Sequence, residues 1–181
     1  MPDGTLASIL IVLDVGDATD IDPLEDFVGV YYALLKAGAR LLIASEAGGY
    51  PWHQRPKQGK GAGSTLVDRF LSDRHARNEI ADTLPLRDVF VEDFEACVLV
   101  GGSGSLVEAD GRFAGGLIGG FLKAGKPVAA FSGRIGFMPG GAAGLALLSS
   151  GGAGLPTAIR ALLAALRDDD EPGDHDDPCS I

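Results

Sequence analysis

Four short stretches of the sequence are almost continuously apolar, which is the pattern of strands buried on both faces of a sheet. They lie at 8–13, 40–44, 96–100 and 127–131. Charged or turn-forming residues bound each stretch, so we expect four separate strands of one sheet.

A helix is predicted between the first two strands. Asp22, Pro23 and Glu25 supply an N-cap, a proline at the first helical position and an acid at the third, and Gly38 ends the helix. The apolar residues between them recur at helical spacing: Phe27, Val30, Tyr31, Leu34 and Leu35. A strand, a helix and a strand joined so closely imply parallel strands with a right-handed crossover.

The rest of the chain continues this alternation. Amphipathic stretches at 64–71, 74–84 and 156–167 and a glycine-rich stretch at 111–123 are predicted to be helices. The fold class is therefore α/β, an open doubly wound sheet that is mostly parallel and has helices on both faces. The Gly/Ala-rich stretch 135–155 has little to define a further strand, so we expect the sheet to be shortened at its C-terminal end.

Length and charge limit the organisation and the partners. With 181 residues, the chain is long enough for one domain with a core, which we place at 1–167, followed by a disordered acidic tail at 168–181. The net charge of −10 argues against nucleic acid and against acidic membranes as partners. No segment approaches the roughly 18 apolar residues that a membrane span needs.

Cysteine usage favours a reducing compartment. Cys97, inside an apolar run, and Cys179, in the tail, form neither a disulfide framework nor a metal motif. The first residues lack a basic leader and a small-residue cleavage site. We therefore expect a cytoplasmic location, with no metal and no other cofactor.

Three loops are candidates for chemistry, because ligands of open parallel sheets bind at the carboxyl ends of the strands. They are the acidic loop after the first strand, GGSG after the third and SGR after the fourth. In GGSG, the backbone amides of Gly101, Gly102 and Ser103 are placed to face an oxyanion. The alternative is that GGSG only makes a tight turn.

Ser132 stands where many α/β enzymes keep a nucleophile, at the turn after a buried strand. It would attack a carbonyl only if a base within hydrogen-bond reach took its proton. The three histidines, His53, His75 and His175, are all distant from it in the sequence, and SGRIG is not the G-x-S-x-G elbow of the hydrolases. A serine without a catalytic base is therefore the favoured interpretation.

Charged residues near these loops are further binding candidates. Glu25 and Asp26 both begin the first helix, and Asp26 is the better site candidate because Glu25 also serves as the capping-box acid. Arg134, next to Gly133, is placed to hold a carboxylate or phosphate with both arms of its guanidinium. The alternative for Arg134 is a solvated residue at a helix start.

With these elements placed, the chain resembles the ThiJ/PfpI family of the class I glutamine amidotransferase-like superfamily. It looks most like the branch of chaperone-like proteins and glutathione-independent glyoxalases. The resemblance is carried by LEDFVGVYYALLKAGARLLIASEAGGYP, TLVDRFLSD…LPLRDVFVEDFEACVLVGGSGSLVEAD and GKPVAAFSGRIGFM. It implies a flavodoxin-like fold and a homodimer.

The sequence departs from the family's pattern at the residues that carry its chemistry. The family has a cysteine nucleophile followed by a histidine, and a glutamate from the first helix touches the thiol. Ser132, Gly133 and Asp26 occupy the matching positions, and Ser103 replaces the histidine of a GGHG turn. A serine hydroxyl is far less acidic than a thiol, whose pKa is about 8.5, so the resemblance implies a kept crevice and a degenerate active site.

Three functional hypotheses follow. In the first, the chain has lost the cysteine chemistry and binds a small carbonyl or carboxylate compound, or a protein partner, in the crevice. The alternative is an enzyme, either a hydrolase, a hydratase or a glyoxalase-like or deglycase-like lyase, that uses Ser132 and Asp26 on a small carbonyl compound. The third is a holdase-like chaperone, which would need an exposed apolar patch.

Overall fold

The computed structural model describes residues 7–15, 24–52, 64–101, 114–131, 146–149 and 154–168. The strands are β1 (Ser8–Asp14), β2 (Arg40–Ser45), β3 (Leu84–Pro85), β4 (Ala96–Gly101), β5 (Val128–Phe131) and β6 (Ala146–Ser149). The helices are α1 (Leu24–Lys36), α2 (Ser64–Ser72), α3 (Arg74–Ala81), α4 (Ala114–Lys123) and α5 (Leu155–Asp168), and 3-10 turns span Leu86–Asp88 and Val91–Asp93.

The strands form one sheet in the order β3-β2-β1-β4-β5-β6, and every pairing within it is parallel. This confirms the predicted open doubly wound α/β fold. The prediction of no further strand within 135–155 was wrong, because Ala146–Ser149 pairs along the whole of β5. A short Gly/Ala-rich run has no periodicity of its own, and only the neighbouring strand shows it to be extended. The remainder of 135–155, apart from Gly154 and Leu155, lies outside the described residues.

The core lies on both faces of the sheet, as the continuous apolar runs predict. On one face Ile9, Ile11 and Leu13 of β1 are buried beneath α1, α2, α3 and α5. On the other face Leu10 and Val12 are buried beneath α4 and the segment of 3-10 turns. Because β1 alternates between two cores, a one-residue slip in its register would exchange both sets of contacts at once.

Helix α1 ends where the sequence predicts. Gly38 adopts a φ of 81°, its N–H donates to the Leu35 carbonyl, and the Ala39 N–H donates to the Leu34 carbonyl. This is the Schellman arrangement, which needs a residue with positive φ and so favours glycine. Leu35, which we expected on the buried face, is exposed. The predicted capping residues Asp22 and Pro23 lie outside the described residues.

Two predicted boundaries move. The helix expected at 74–84 ends at Ala81, because Asp82 caps it and Leu84 pairs with Ala44 as β3. Helix α5 extends to Asp168, so it includes the first residue that we assigned to the tail, and 169–181 lie outside the described residues. In the part of the chain that the structure describes, no helix is long and apolar enough to cross a bilayer.

Candidate functional site

The strand order reverses between β1 and β4, in the middle of the sheet. From β1 the chain builds outward to β2 and β3, and from β4 it builds the other way to β5 and β6. The helix after β1 covers one face, whereas the helix after β4 covers the other. The carboxyl ends of these two strands form the switch point at which ligands of doubly wound sheets bind.

Gly101 ends β4 directly beside Asp14, the last residue of β1. Its φ is +117°, and a Cβ built on it would lie 1.9 Å from the carbonyl oxygen of Asp14. Only glycine fits this close approach of two backbones. Of the GGSG residues, Gly101 alone is described, whereas Gly102 and Ser103 lie outside the described residues.

Asp14 is a carboxylate at the switch point, and it begins the acidic loop after the first strand that the sequence indicated as a candidate for chemistry, although that prediction did not single out this residue. Its side chain is only 5% exposed, although it belongs to an acidic residue. The available signal was its position, because an acid that ends a buried central strand is placed at the ligand-binding edge of the sheet.

Asp26 lies in the first turn of α1, at the same edge of the sheet. Because α1 follows β1 and returns along it, the start of the helix lies at the carboxyl end of the strand. Asp26 is half-buried and Glu25 is exposed. Burial, and secondly the neighbouring charge of Glu25, raise the pKa of the Asp26 carboxyl above its usual value. The sequence predicted Asp26, rather than Glu25, as the site residue. The functional role of Asp26 stays a prediction.

Strand β5 also ends at this edge. Phe131, the last residue of β5, is buried and lies beside Val100 of β4. Ser132, Gly133 and Arg134 themselves lie outside the described residues, so their predicted roles stay predictions.

A glycine turn after β2 leads into two aromatic residues that contact each other. Gly48 has a φ of 76° and a Cβ on it would lie 2.8 Å from the Pro85 ring, while the Gly49 N–H donates to the Thr83 carbonyl at 2.7 Å. This turn leads into Tyr50 and Trp52, whose ring centroids are 5.8 Å apart. Contacts with Pro85 of β3 and with Thr83 therefore hold Gly48 and Gly49, in the first part of the predicted loop, in place.

Trp52 packs into the core against Phe27, the residue after Asp26 in α1. Its ring centroid lies 5.9 Å from that of Phe27, and the side chain is 8% exposed. Among the residues that the structure describes, no acceptor lies within hydrogen-bond distance of its buried Nε1–H. Sequence reasoning placed this tryptophan in a loop without predicting its burial. The signal was its size, since a large apolar ring is seldom left in water.

The remaining candidate groups do not extend the site. His75 is exposed on α3, where its Nδ1 lies 3.6 Å from a Glu79 carboxylate oxygen, and His53 and His175 lie outside the described residues. Within the described ranges, no cluster of three or more His, Cys, Asp or Glu side chains is arranged to hold a metal. Cys97 is fully buried in β4, and burial raises the pKa of its thiol to about 12.

Comparison with solved structures places this arrangement among known folds. A ThiJ/PfpI domain protein from Brachyspira murdochii superposes with a TM-score of 0.52 at 17% identity, over 91% of this chain and 99% of that one. The chain has the ThiJ/PfpI fold. Glyoxalase III from Candida albicans superposes with a TM-score of 0.51 at 15% identity, over 69% of this chain and 56% of that one. The family resemblance seen in the sequence is thus confirmed at the level of the fold.

Other comparisons add little. The Rapid Encystment Protein of 24 kDa from Francisella tularensis superposes with a TM-score of 0.49 at 19% identity, over 70% of this chain and 58% of that one. This chain therefore spans a little over half the length of the Francisella and Candida proteins, at 58% and 56%. No family model matches the sequence, and no curated protein matches it.

In this ThiJ/PfpI fold, the described part of the switch point offers carboxylates and backbone rather than a thiol. Asp14 and Asp26 both lie at the carboxyl edge, and Gly101 keeps the backbones of β1 and β4 in contact. The Cys97 thiol stays protonated at neutral pH and is enclosed within the sheet, so it cannot supply a thiolate nucleophile. The edge can therefore bind through hydrogen bonds, or exchange protons through a carboxyl group.

Proposed function

We propose that this chain binds a small carbonyl or carboxylate compound at the carboxyl edge of β1 and β4, without the thiol chemistry of the family it resembles. The observation that carries the proposal is the contact of Gly101 with Asp14 at the switch point. This contact fixes the ends of β1 and β4 beside each other at the switch point, which is where ligands of doubly wound sheets bind.

Two further observations support a binding role. The position that matches the family's cysteine is Ser132, and the one described cysteine, Cys97, is buried and protonated. Asp26 is held half-buried at the same edge, even though burial disfavours its charged form. A carboxyl group that is half-buried at the ligand-binding edge of the sheet is a candidate for contact with a ligand.

The second candidate is an enzyme, and Asp26 is the observation that favours it. Burial, and secondly the Glu25 charge, raise the pKa of this carboxyl, and a half-buried carboxyl at the ligand-binding edge is a candidate general acid or base. On this hypothesis Asp26 exchanges protons with a small carbonyl compound and Ser132 is its nucleophile, in a hydrolase, hydratase or lyase reaction. The other hypothesis is that a protein partner, and not a small compound, binds in the crevice.

The deciding experiment measures binding and turnover on the full chain. Methylglyoxal and pyruvate would be titrated while backbone amide signals of 9–14 and 96–101 are followed by NMR, and the loss of each compound would be timed. Saturable shifts without turnover support the binding protein. Turnover that Ser132→Ala and Asp26→Asn both abolish supports the enzyme instead, provided that Glu92→Gln, at an exposed residue of the 3-10 turn Val91–Asp93, leaves it intact. Absence of both shifts and turnover overturns both candidates.

The homodimer and the cytoplasmic location also remain proposals. Light scattering of the purified chain would measure its mass against the 18.6 kDa of one copy. A holdase activity would need a contiguous apolar surface. The large exposed apolar side chains among the described residues are Leu35, Tyr50, Leu66 and Phe90, and they lie on separate segments.

A further inference from the structure

The indole N–H of Trp52 is a buried hydrogen-bond donor that the described part of the protein does not satisfy. The side chain is 8% exposed and its Nε1 has no acceptor among the described residues. Buried polar groups in folded proteins are almost always paired, because an unpaired one has lost its water without replacement. An indole offers one donor and no acceptor, so only an acceptor atom can complete this site.

The surroundings of Trp52 connect it to the candidate site. Its ring contacts Phe27, which follows Asp26 directly in α1, with centroids 5.9 Å apart. It also contacts Tyr50, with centroids 5.8 Å apart, and Tyr50 is 50% exposed. The donor thus lies in an aromatic cluster of Phe27, Tyr50 and Trp52 that begins at the sheet's carboxyl edge. Tyr50 is the member of the cluster that solvent reaches.

The charge of this edge restricts the acceptor. Glu25 and Asp26 lie in the first turn of α1, Asp14 ends β1, and the whole chain carries a net charge of −10. A carboxylate or phosphate brought to this side of the site would be repelled by these groups. These acidic groups would not repel a neutral carbonyl oxygen in this way. The aromatic rings favour an apolar body attached to that oxygen.

We propose that the aromatic cluster of Phe27, Tyr50 and Trp52 is a subsite for a neutral carbonyl compound with an apolar body, whose oxygen accepts the hydrogen bond of the Trp52 indole. This inference rests on the proposed function and deepens it, because it selects carbonyl over carboxylate and names the donor that selects it.

Trp52 is the only tryptophan in the chain, so its indole N–H gives a single side-chain signal in a ¹H–¹⁵N NMR spectrum. The probes are cyclohexanone, a neutral carbonyl on an apolar ring, and cyclohexanecarboxylate, the same ring with a charged group. Titration of the full chain with cyclohexanone should move the indole signal downfield and saturate. Cyclohexanecarboxylate should bind at least tenfold more weakly.

Two variants separate the donor from the ring. Trp52→Phe keeps an aromatic side chain in the cluster and removes the donor, so its affinity for cyclohexanone, followed by backbone signals, should fall about three- to tenfold. The matched control is Phe90→Leu, which changes an exposed aromatic side chain elsewhere and should leave the affinity unchanged. If Trp52→Phe failed to fold, Tyr50→Ala would serve, since removing the exposed ring of the cluster should weaken cyclohexanone binding, and an unchanged affinity would overturn the subsite.

The outcomes distinguish this inference from the proposed function. Shifts at 9–14 and 96–101 with an unmoved indole signal would overturn the role of Trp52 and leave the edge as a binding site. An indole signal already at a hydrogen-bonded position without any probe would also overturn it, because the donor would then have a partner within the protein. Shifts at neither place with cyclohexanone would overturn this inference alone, because the titrations with methylglyoxal and pyruvate decide the proposed function.

Discussion

Gly101 lies against Asp14 so closely that a methyl group at Gly101 would penetrate the Asp14 carbonyl, with its carbon 1.9 Å from the oxygen. The two residues end adjacent parallel strands at the point where the strand order reverses. The φ of Gly101, +117°, is also one that L side chains rarely adopt. Conformation and space therefore both require glycine here.

Gly101→Ala should destabilise the protein by about 4 kcal/mol or more, because it combines backbone strain with a clash that no flexible side chain can relieve. Urea denaturation followed by circular dichroism would measure the change in the free energy of unfolding.

The control for this variant is Gly119→Ala, in the interior of α4. A Cβ there meets nothing within 4 Å, so the same substitution should stabilise the protein by up to about 1 kcal/mol through helix propensity. Equal effects of the two substitutions would contradict the close approach at the switch point.

The central strands and α1 could be predicted because local sequence determines them. ILIVL in β1 is buried on both faces, and α1 places Phe27, Tyr31 and Leu34 at the spacing of one helix face. Leu35 extends that pattern in the sequence, yet it is exposed because the buried face of α1 is narrower than the run of apolar residues.

The edges of the sheet could not be predicted in the same way, because they depend on neighbours. Strand β3 has two residues, one of them a proline, and it is defined by pairing with Ala44 and Ser45. Strand β6 is defined in the same way by β5. At the site, the sequence indicated Gly101 and Asp26 through turn and capping patterns. The burial of Trp52 and Asp14 depends on packing between distant segments, so the sequence offered only the size of the one and the position of the other as signals.

Lys126 connects the turn before β5 to the segment between β3 and β4. Its Nζ donates to the Val91 carbonyl at 2.9 Å and to the Phe94 carbonyl at 2.5 Å. Lys126→Met keeps most of the side-chain volume and removes both charge-assisted hydrogen bonds. We expect the free energy of unfolding to fall by about 1.5–3 kcal/mol.

Lys123→Met, at an exposed position in the last turn of α4, is the control for Lys126→Met, and it should cost less than about 1 kcal/mol. Thermal and urea denaturation of both variants would measure the difference. An equal loss would show that the carbonyls of Val91 and Phe94 do not depend on the ammonium group.

Asp73 caps α3 and joins it to α1. Its carboxylate accepts hydrogen bonds from the His75 N–H at 3.0 Å, from the Ala76 N–H at 3.2 Å and from the Tyr32 hydroxyl at 3.2 Å. The backbone hydrogen bond from Ala76 is the largest cause that lowers the pKa of Asp73. A lowered carboxyl pKa contributes stability above the unfolded value of 3.8, and this contribution is lost as the pH falls through the folded value.

Asp73→Asn should therefore keep the cap at neutral pH and lose less stability than the wild type between pH 4 and pH 2, roughly the window below the usual carboxyl pKa. Asp73→Ala should lower the melting temperature at neutral pH, because it removes the acceptor itself. Melting temperatures across this pH range would test both. If the melting temperatures of the wild type and Asp73→Asn fell equally between pH 4 and pH 2, the Asp73 charge would not contribute to stability.

Asp26 should show the opposite pH dependence, because its pKa is raised. Burial is the larger cause and the Glu25 charge is the smaller one. Below the unfolded value of 3.8 the carboxyl is protonated in both states, so it makes no difference to stability; above the folded value, the ionised group is less favourable in the folded protein. Asp26→Asn should therefore stabilise the protein at pH 7, and the gain should shrink to nothing as the pH falls to about 3.

Glu25→Gln separates the two causes of this shift. This variant removes only the charge next to Asp26, so it should give a minor part of the stabilisation expected for Asp26→Asn at pH 7. The larger effect, which comes from the burial of Asp26, should remain. Melting temperatures of the two single variants and the double variant between pH 3 and pH 7 would measure the effects. A group that costs stability at neutral pH is a candidate for a role other than folding. A wild type as stable as Asp26→Asn at pH 7 would remove this argument for Asp26 as a site residue.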